Sequence, residues 1–554
     1  MIFRSFFLLL SFVFGFTALS GQSQSAEILQ RMVERIATVS IPTKAETEYR
    51  AASKTYREIQ EKLDKIDPNQ LGLNEKVDFM LAKGYVQRQL FEIDTIQLYK
   101  VYPVGYFSLG ATNRLFVRPG AIGNSGVKAA IAELKRFPEV IEHAKTNLTR
   151  PAKTWTENTI YQAYYAKLLL RESVPNAIVY DEQLKVELIA ASKTALKAVN
   201  DYESWLKTVL LPRSDRSPAW KPSEVEAYQF NYEFLYDYSV DEMIRIAEEE
   251  NIKCKADMEA LAKRIHPSGD LKTVWSLMKD EAPPWPEVVP MAKRFVELAA
   301  NWLKGPKGDH LVSIPNFDYG VQITAPMGRR TLSFGGASYG PTVAQRLSGY
   351  YVLTPLEDIL TDAEKASRIR SYNPYWTHVI SYHEWLGHTV QRADALLAPQ
   401  TPMRKIFNSI YLSQAWSFYL EKLLEDEGYF EDELDHTTAL KTRMGRLQMR
   451  MWRIQRILTK LKMAKGEMTF EESVQAYIDE IGMEPTNAFI EVQRDSQTPS
   501  PPGREIIGEM MIIQLREEYK SRMGEHYNMK EFHDKLLSYG PLPFACIKML
   551  MLGN

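Results

Sequence analysis

From residue 26 to residue 538, nearly every stretch of this 554-residue chain repeats its apolar residues at three- and four-residue spacing, with charged faces between. That period matches the α-helix, so the chain must bury itself helix against helix. The pattern predicts helices over 26–66, 73–98, 127–148, 156–171, 181–210, 223–265, 286–303, 361–397, 403–427, 437–465, 469–481, 504–523 and 529–538. Gly and Pro mark the joins, as at Pro212, Pro283-Pro284, Gly305-Pro306 and Pro501-Pro502-Gly503. Residues 311–355 depart from the pattern. Rich in Gly and β-formers, they read as a small sheet or irregular insert ahead of a histidine-bearing helix. Within them "SFGGASYGP" at 333–341 lacks a phosphate-loop Lys and is expected to be a flexible loop near a cleft. The expected class is mainly α, one large helical domain over 26–554 with a small β-rich or irregular insert.

The N-terminus reads differently. Arg4, an apolar run from Phe6 to Phe16 and the small residues around Ala18-Leu19-Ser20 have the order of a secretory signal peptide, expected over 1–25. The mature chain is then expected to be periplasmic or secreted, without a stable membrane anchor. No Cys stands near the expected cleavage site, which argues against a bacterial lipid anchor. A formal net charge of -2 leaves no polybasic footprint, so nucleic acid is not an expected partner. The two cysteines, Cys254 and Cys546, are too few for a Cys-based zinc site, and their pairing stays open.

The chemistry concentrates at "YHEWLGHTVQ", residues 382–391. Of nine histidines in the chain, His378, His383 and His388 fall within eleven residues. Zinc takes imidazole and carboxylate ligands at about 2 Å, and a catalytic site keeps one position open. A Glu beside the first histidine can take a proton from water activated there. The spacing of His383 and His388 is five, which on a regular helix sets them about 140° apart. A single-turn π-bulge would realign them, and Gly387, lacking a Cβ, would make such a distortion cheap. His378 is expected to be a packing residue or a support for the ligands. Trp385, Trp416 and the pair Tyr350-Tyr351 could wall a cleft, although aromatics at such spacing are commonly core. No Gly-x-Ser-x-Gly elbow occurs, so nothing supports a serine nucleophile.

Several segments, in order, resemble domain of unknown function 885, a bacterial family of mostly exported helical proteins commonly labelled zinc metallopeptidases. They are "ALKAVNDYESWLKTVLLPRS" at 195–214, "YEFLYDYSVDEMIRIAEEE" at 232–250, "SGYYVLTP" at 348–355, "EVQRD" at 491–495, "IIGEMMIIQLREEY" at 506–519 and "FHDKLLSYGPLPF" at 532–544. The family motif resembles His-Glu-x-x-Pro-Gly-His with a Gln beyond. This chain keeps His383, Glu384, Gly387, His388 and Gln391 and drops the residue where Pro would stand. A second motif resembles Glu-Gly-Trp-x-x-Tyr-x-Glu and reads here Gln414-Ala415-Trp416-Ser417-Phe418-Tyr419-Leu420-Glu421. The resemblance implies that the first position supplies the third metal ligand, which puts Gln414 there, an amide in place of a carboxylate. Only one of Gln414 and Glu421 can reach the metal, being about 10.5 Å apart along a helix. The resemblance gives Glu421 an orienting or structural role. It also marks Lys460, Ala464 and Glu505 as departures, standing where the family carries Asp, His and Tyr.

The expectation is a metallopeptidase-like fold and an exported zinc-dependent peptidase or related amide hydrolase. Zn2+ would sit on His383, His388 and Gln414, Glu384 would activate water, and the substrate would be a peptide or other small amide. The alternative is a non-catalytic descendant that binds a peptide or partner in the same cleft. A third option keeps the metal but runs other chemistry, with Lys460 and Glu505 rebuilding the pocket.

Overall fold

The computed structural model describes residues 23–107, 109–117, 122–233, 238–316, 318–329, 333–341, 347–357, 359–390, 400–407, 409–500 and 502–553. The expected signal segment therefore lies, except for its last three residues, outside the described residues, and so does Gln391. The first described helix, Gln24–Thr38, begins at Ser23, whose hydroxyl accepts from the Ala26 amide.

Helices dominate, as the periodicity predicts, and the differences have local causes. The expected helix over 26–66 is two, Gln24–Thr38 and Glu46–Leu63, with Pro42 in the join. That over 223–265 is also two, Pro222–Glu233 and Val240–Ile265, the second opened by a Ser239 cap on the Glu242 amide. Leu271–Asp280 and Pro485–Ser496 are helices that the periodicity does not predict. Among the described residues, three helices end in a five-residue π turn, at Phe91–Thr95, Leu169–Ser173 and Leu206–Leu210.

The insert is a three-stranded sheet in the order β1-β3-β2. β1 is Asp318–Ile323, β2 Gly335–Pro341 and β3 Leu347–Leu353. β1 runs parallel to β3 and β2 antiparallel to it. The segment expected to be a flexible loop is thus largely strand β2. A Cβ at Gly335 would sit 2.2 Å from the Val352 carbonyl oxygen, so only glycine lets β2 approach β3 there.

The organising element is the 30-residue helix His436–Lys465, opened by Asp435, which accepts from the Thr437 and Thr438 amides. It is buried on most of its circumference and packs against Val240–Ile265, Pro374–Tyr382 and Phe470–Ile481. A second, smaller apolar cluster lies within residues 106–210. The helix Lys153–Leu168 belongs to both, giving Trp155 to the large cluster and Ala163 and Ala166 to the small one. Cys254 and Cys546 are both free and buried, which closes the question of their pairing. Among the described residues no helix is long and apolar enough to cross a membrane.

Candidate metal centre

Asn373 starts the histidine helix by accepting from the Trp376 amide at 3.1 Å, with Pro374 in the first turn. Regular helix runs to Tyr382. From His383 to Val390 the backbone is a π-helix of eight residues, longer than the single-turn bulge expected. Hydrogen bonding from i to i+5 brings residues five apart over one another. The two imidazoles accordingly face each other, ring centres 5.0 Å apart and planes at 82°. Gly387 lies inside this π segment and has a further reason to be glycine. A Cβ there would meet the Ser417 hydroxyl at 2.3 Å and the Ser417 Cα at 2.7 Å. It lets the π segment lie directly on the helix Tyr411–Asp426.

That neighbouring helix pins both rings from behind. The Glu421 carboxylate accepts from His383 Nδ1 at 2.7 Å, and Ser413 Oγ lies 2.8 Å from His388 Nδ1. With Nδ1 engaged, Nε2 of each ring is the nitrogen left to offer a lone pair to a cation when the proton sits on Nδ1. His388 Nε2 lies 3.9 Å from a Glu384 carboxylate oxygen, and one ligand atom from each of His383, Glu384 and His388 fits within a 4.8 Å span. Gln414, half-buried, lines the same cavity, while Glu421 is committed to His383. The contact with His383 is of the orienting kind that the resemblance implies for Glu421.

Burial sets the charges. It holds both His383 and His388 well below the ordinary imidazole value, which favours the neutral rings. It pushes Glu384 up to about 7 against the pull of the Arg453 guanidinium, and Glu421 up to about 7 in the same way. Two neutral imidazoles oriented by outer hydrogen bonds, with a carboxylate beside them, form a donor set that suits a divalent cation.

The cluster opens into a cavity of about 510 Å³. One wall is β2, at Gly335, Gly336 and Ala337. Another is the long helix, at Trp452, Arg453, Arg456 and Lys460. The helix Pro485–Ser496 adds Glu491, Arg494 and Asp495, and Arg504 and Glu505 close the far side. Arg456 is the hub of this wall, pairing with Glu491 at 3.1 Å, Asp495 at 3.1 Å and Glu505. Burial pushes Glu505 up, but Arg456, Arg453 and Arg504 together hold it below the ordinary value. Glu491 also accepts from Trp452 Nε1 at 3.2 Å and Ser333 Oγ at 2.6 Å, tying the sheet insert to the long helix.

Other expected positions fall elsewhere. Lys460 and Glu505 face the cavity, but Ala464 does not: it borders a separate small void with Trp220 and Val225. Trp385, Trp416 and Tyr351 are fully buried core residues rather than a cleft wall. Trp385 packs on Tyr319, and Trp416 on His533. Tyr350 lies outside the cavity too, over Gly320 of the neighbouring strand. His378 is a packing residue, stacked on Phe295 with ring centres 4.3 Å apart and 2.8 Å from the Tyr429 hydroxyl. The cavity residues Arg453, Glu491, Arg494, Asp495 and Arg504 were not singled out from sequence. The signal for three of them is in "EVQRD", whose charged residues at i, i+3 and i+4 share one helix face.

The model of a family described as "Bacterial protein of unknown function (DUF885)" matches residues 38–551. Among solved structures, a candidate lipoprotein of unknown function from Shewanella oneidensis is similar, with a TM-score of 0.72 at 18% identity over 96% of this chain and 100% of the other. A candidate lipoprotein from Colwellia psychrerythraea has a TM-score of 0.74 at 17% identity over 96% of this chain and 98% of the other. At such identities the likeness concerns the fold. No curated protein matches the chain.

Proposed function

The chain belongs to the bacterial DUF885 family, and on that premise we propose that it is an exported zinc-dependent metallopeptidase or related amide hydrolase. His383, His388 and Gln414 hold the cation, and Glu384 handles the proton of the attacking water. One observation carries this reading: two imidazoles, each fixed at Nδ1 from behind, present their free nitrogens beside a buried carboxylate at the edge of a cavity. A cation held there supplies the Lewis acidity that makes water a nucleophile near neutral pH. Glu384 accepts the proton and can return it to the leaving amine, a task suited to a carboxyl group whose affinity for the proton is raised by burial. Glu421 keeps the His383 ring in place through the cycle.

Export is part of the same reading. The leader-like N-terminus and the lipoprotein descriptions of the two structural neighbours support a periplasmic or secreted destination. Cell fractionation tests it; recovery of the protein in the cytosol alone would remove it.

The functional test is metal content followed by hydrolysis. Purified protein is expected to carry about one zinc per chain, lost in His383→Ala and retained in Glu384→Gln, with peptide hydrolysis abolished in both. Gln414 favours a second reading, a non-catalytic peptide-binding descendant, because an amide offers a cation only a dipole. Folded protein that takes up no zinc supports that second reading and ends the first.

A further inference from the structure

The long helix carries a stripe of cations at three- and four-residue spacing: Arg446, Arg450, Arg453, Arg456 and Lys460. Four of them are matched. Arg446 pairs with Glu425, Arg450 with Glu250 at 2.6 Å and Glu509 at 2.7 Å, and Arg456 with three carboxylates. Lys460 donates to the Thr498 carbonyl at 3.0 Å. Arg453 is different. It is only 4% exposed, and although the Glu421, Glu505 and Glu384 carboxylates act on its charge through space, among the described residues none of them forms an ion pair with it. Its Nε has no partner, and one terminal nitrogen reaches only Met449, one turn back on its own helix, with the carbonyl at 3.4 Å. The guanidinium lies over Trp452, 4.3 Å from the ring centre, on the wall of the cavity that holds His383, Glu384 and His388.

A buried guanidinium that no carboxylate touches, with its hydrogen-bonding capacity largely unused, is costly, and such a cost persists where a ligand is to supply the missing contact. A planar fork of N–H donors resting on an indole is organised in advance for a two-oxygen acceptor. One free guanidinium fork suits one carboxylate; a phosphate would find no second free arginine beside it on this helix, since Arg446, Arg450 and Arg456 are held in ion pairs.

We propose that Arg453 binds a free carboxylate of the substrate, so that the cavity takes short peptides or other small amides bearing a carboxylate near the bond presented to Glu384. This rests on the functional reading given above for the same cavity. About 510 Å³ is the size of a small-ligand pocket rather than of a groove for a long chain.

The test is binding, made independent of turnover by using the zinc-loaded Glu384→Gln protein. Its probes are N-acetyl-trialanine with a free C-terminus and the same peptide as its C-terminal amide. The free acid is expected to bind roughly tenfold to a hundredfold more tightly than the amide. Adding Arg453→Gln should weaken the acid to the level of the amide and leave the amide unchanged. Arg453→Lys, which keeps the charge but loses the fork, should retain only part of the preference. Inorganic phosphate should compete weakly with the acid. Equal affinity of the two peptides, no saturable binding of either, a preference that survives Arg453→Gln, or phosphate competing as well as the free acid overturns the proposal. If Arg453→Gln does not fold, the comparison of acid with amide in the Glu384→Gln protein, and the Arg453→Lys variant, still decide. Wild-type protein that discriminates acid from amide without hydrolysing either sinks the hydrolase reading and leaves this one standing. Hydrolysis with equal KM for both peptides does the reverse.

Discussion

At the scale of single residues, the site depends on contacts a sequence motif does not describe. Gly387 is fixed by the closeness of the helix that carries Ser417. Gly387→Ala is therefore expected to destabilise the protein by about 1–3 kcal/mol, read as a shift in urea midpoint, because buried atoms have nowhere to move. It should also lower metal affinity by pushing the π segment off its support; unchanged stability would mean that the two helices separate freely. Gln414 makes the opposite kind of prediction. Gln414→Glu restores a full charge to the cavity, so zinc affinity measured by chelator competition should rise by at least roughly tenfold. No gain would place position 414 outside the coordination shell. The clustering of His383, Glu384 and His388 was legible in sequence because the three lie within two turns of each other. Arg453 was not, because a cation stripe on a long helix reads as a solvated face until the helix is found to be buried.

At the scale of elements, the sequence periodicity located most helices and misjudged where they stop. Pro42 lies in a join, and Ser239 opens a new helix, where the apolar pattern alone would have run one helix on. The more consequential omission was Pro485–Ser496, which carries Glu491, Arg494 and Asp495 into the cavity wall. Its face toward the site is charged, so an apolar count undervalues it. The long helix has its own exposure to pH. Burial lowers Lys460 from 10.5 to about 7, with Asp495 drawing it back up and Arg504, Arg456 and Arg494 opposing. Between those values the unfolded chain holds a proton that the folded one lacks, so raising the pH through this window stabilises the fold, by at most about 1.4 kcal/mol per pH unit. Urea midpoints of wild type and Lys460→Met should converge as pH rises from about 7 to about 10, the wild type gaining. Parallel curves would show that Lys460 keeps its proton throughout.

At the scale of the whole molecule, one cavity gathers chain from Tyr102 to Pro541. A cation bound to the folded state alone must then steady segments far apart in sequence. Stripping metal with a chelator is expected to lower the melting temperature by several degrees, about what 1–3 kcal/mol produces in a large domain. Coincident melts with and without chelator would speak against a cation in the native protein. The helical class and the sheet insert were readable from local pattern. The partition into a large and a small apolar cluster was not, because Lys153–Leu168 serves both and no composition shift announces the change. That shared helix has a mechanical corollary. Its Trp155 stacks on Trp220 and donates to Ser496, at the end of the helix that lines the cavity. Any movement of Lys153–Leu168 away from the cavity-lining helix would have to break that buried Trp155–Ser496 hydrogen bond and leave an indole N–H without a partner.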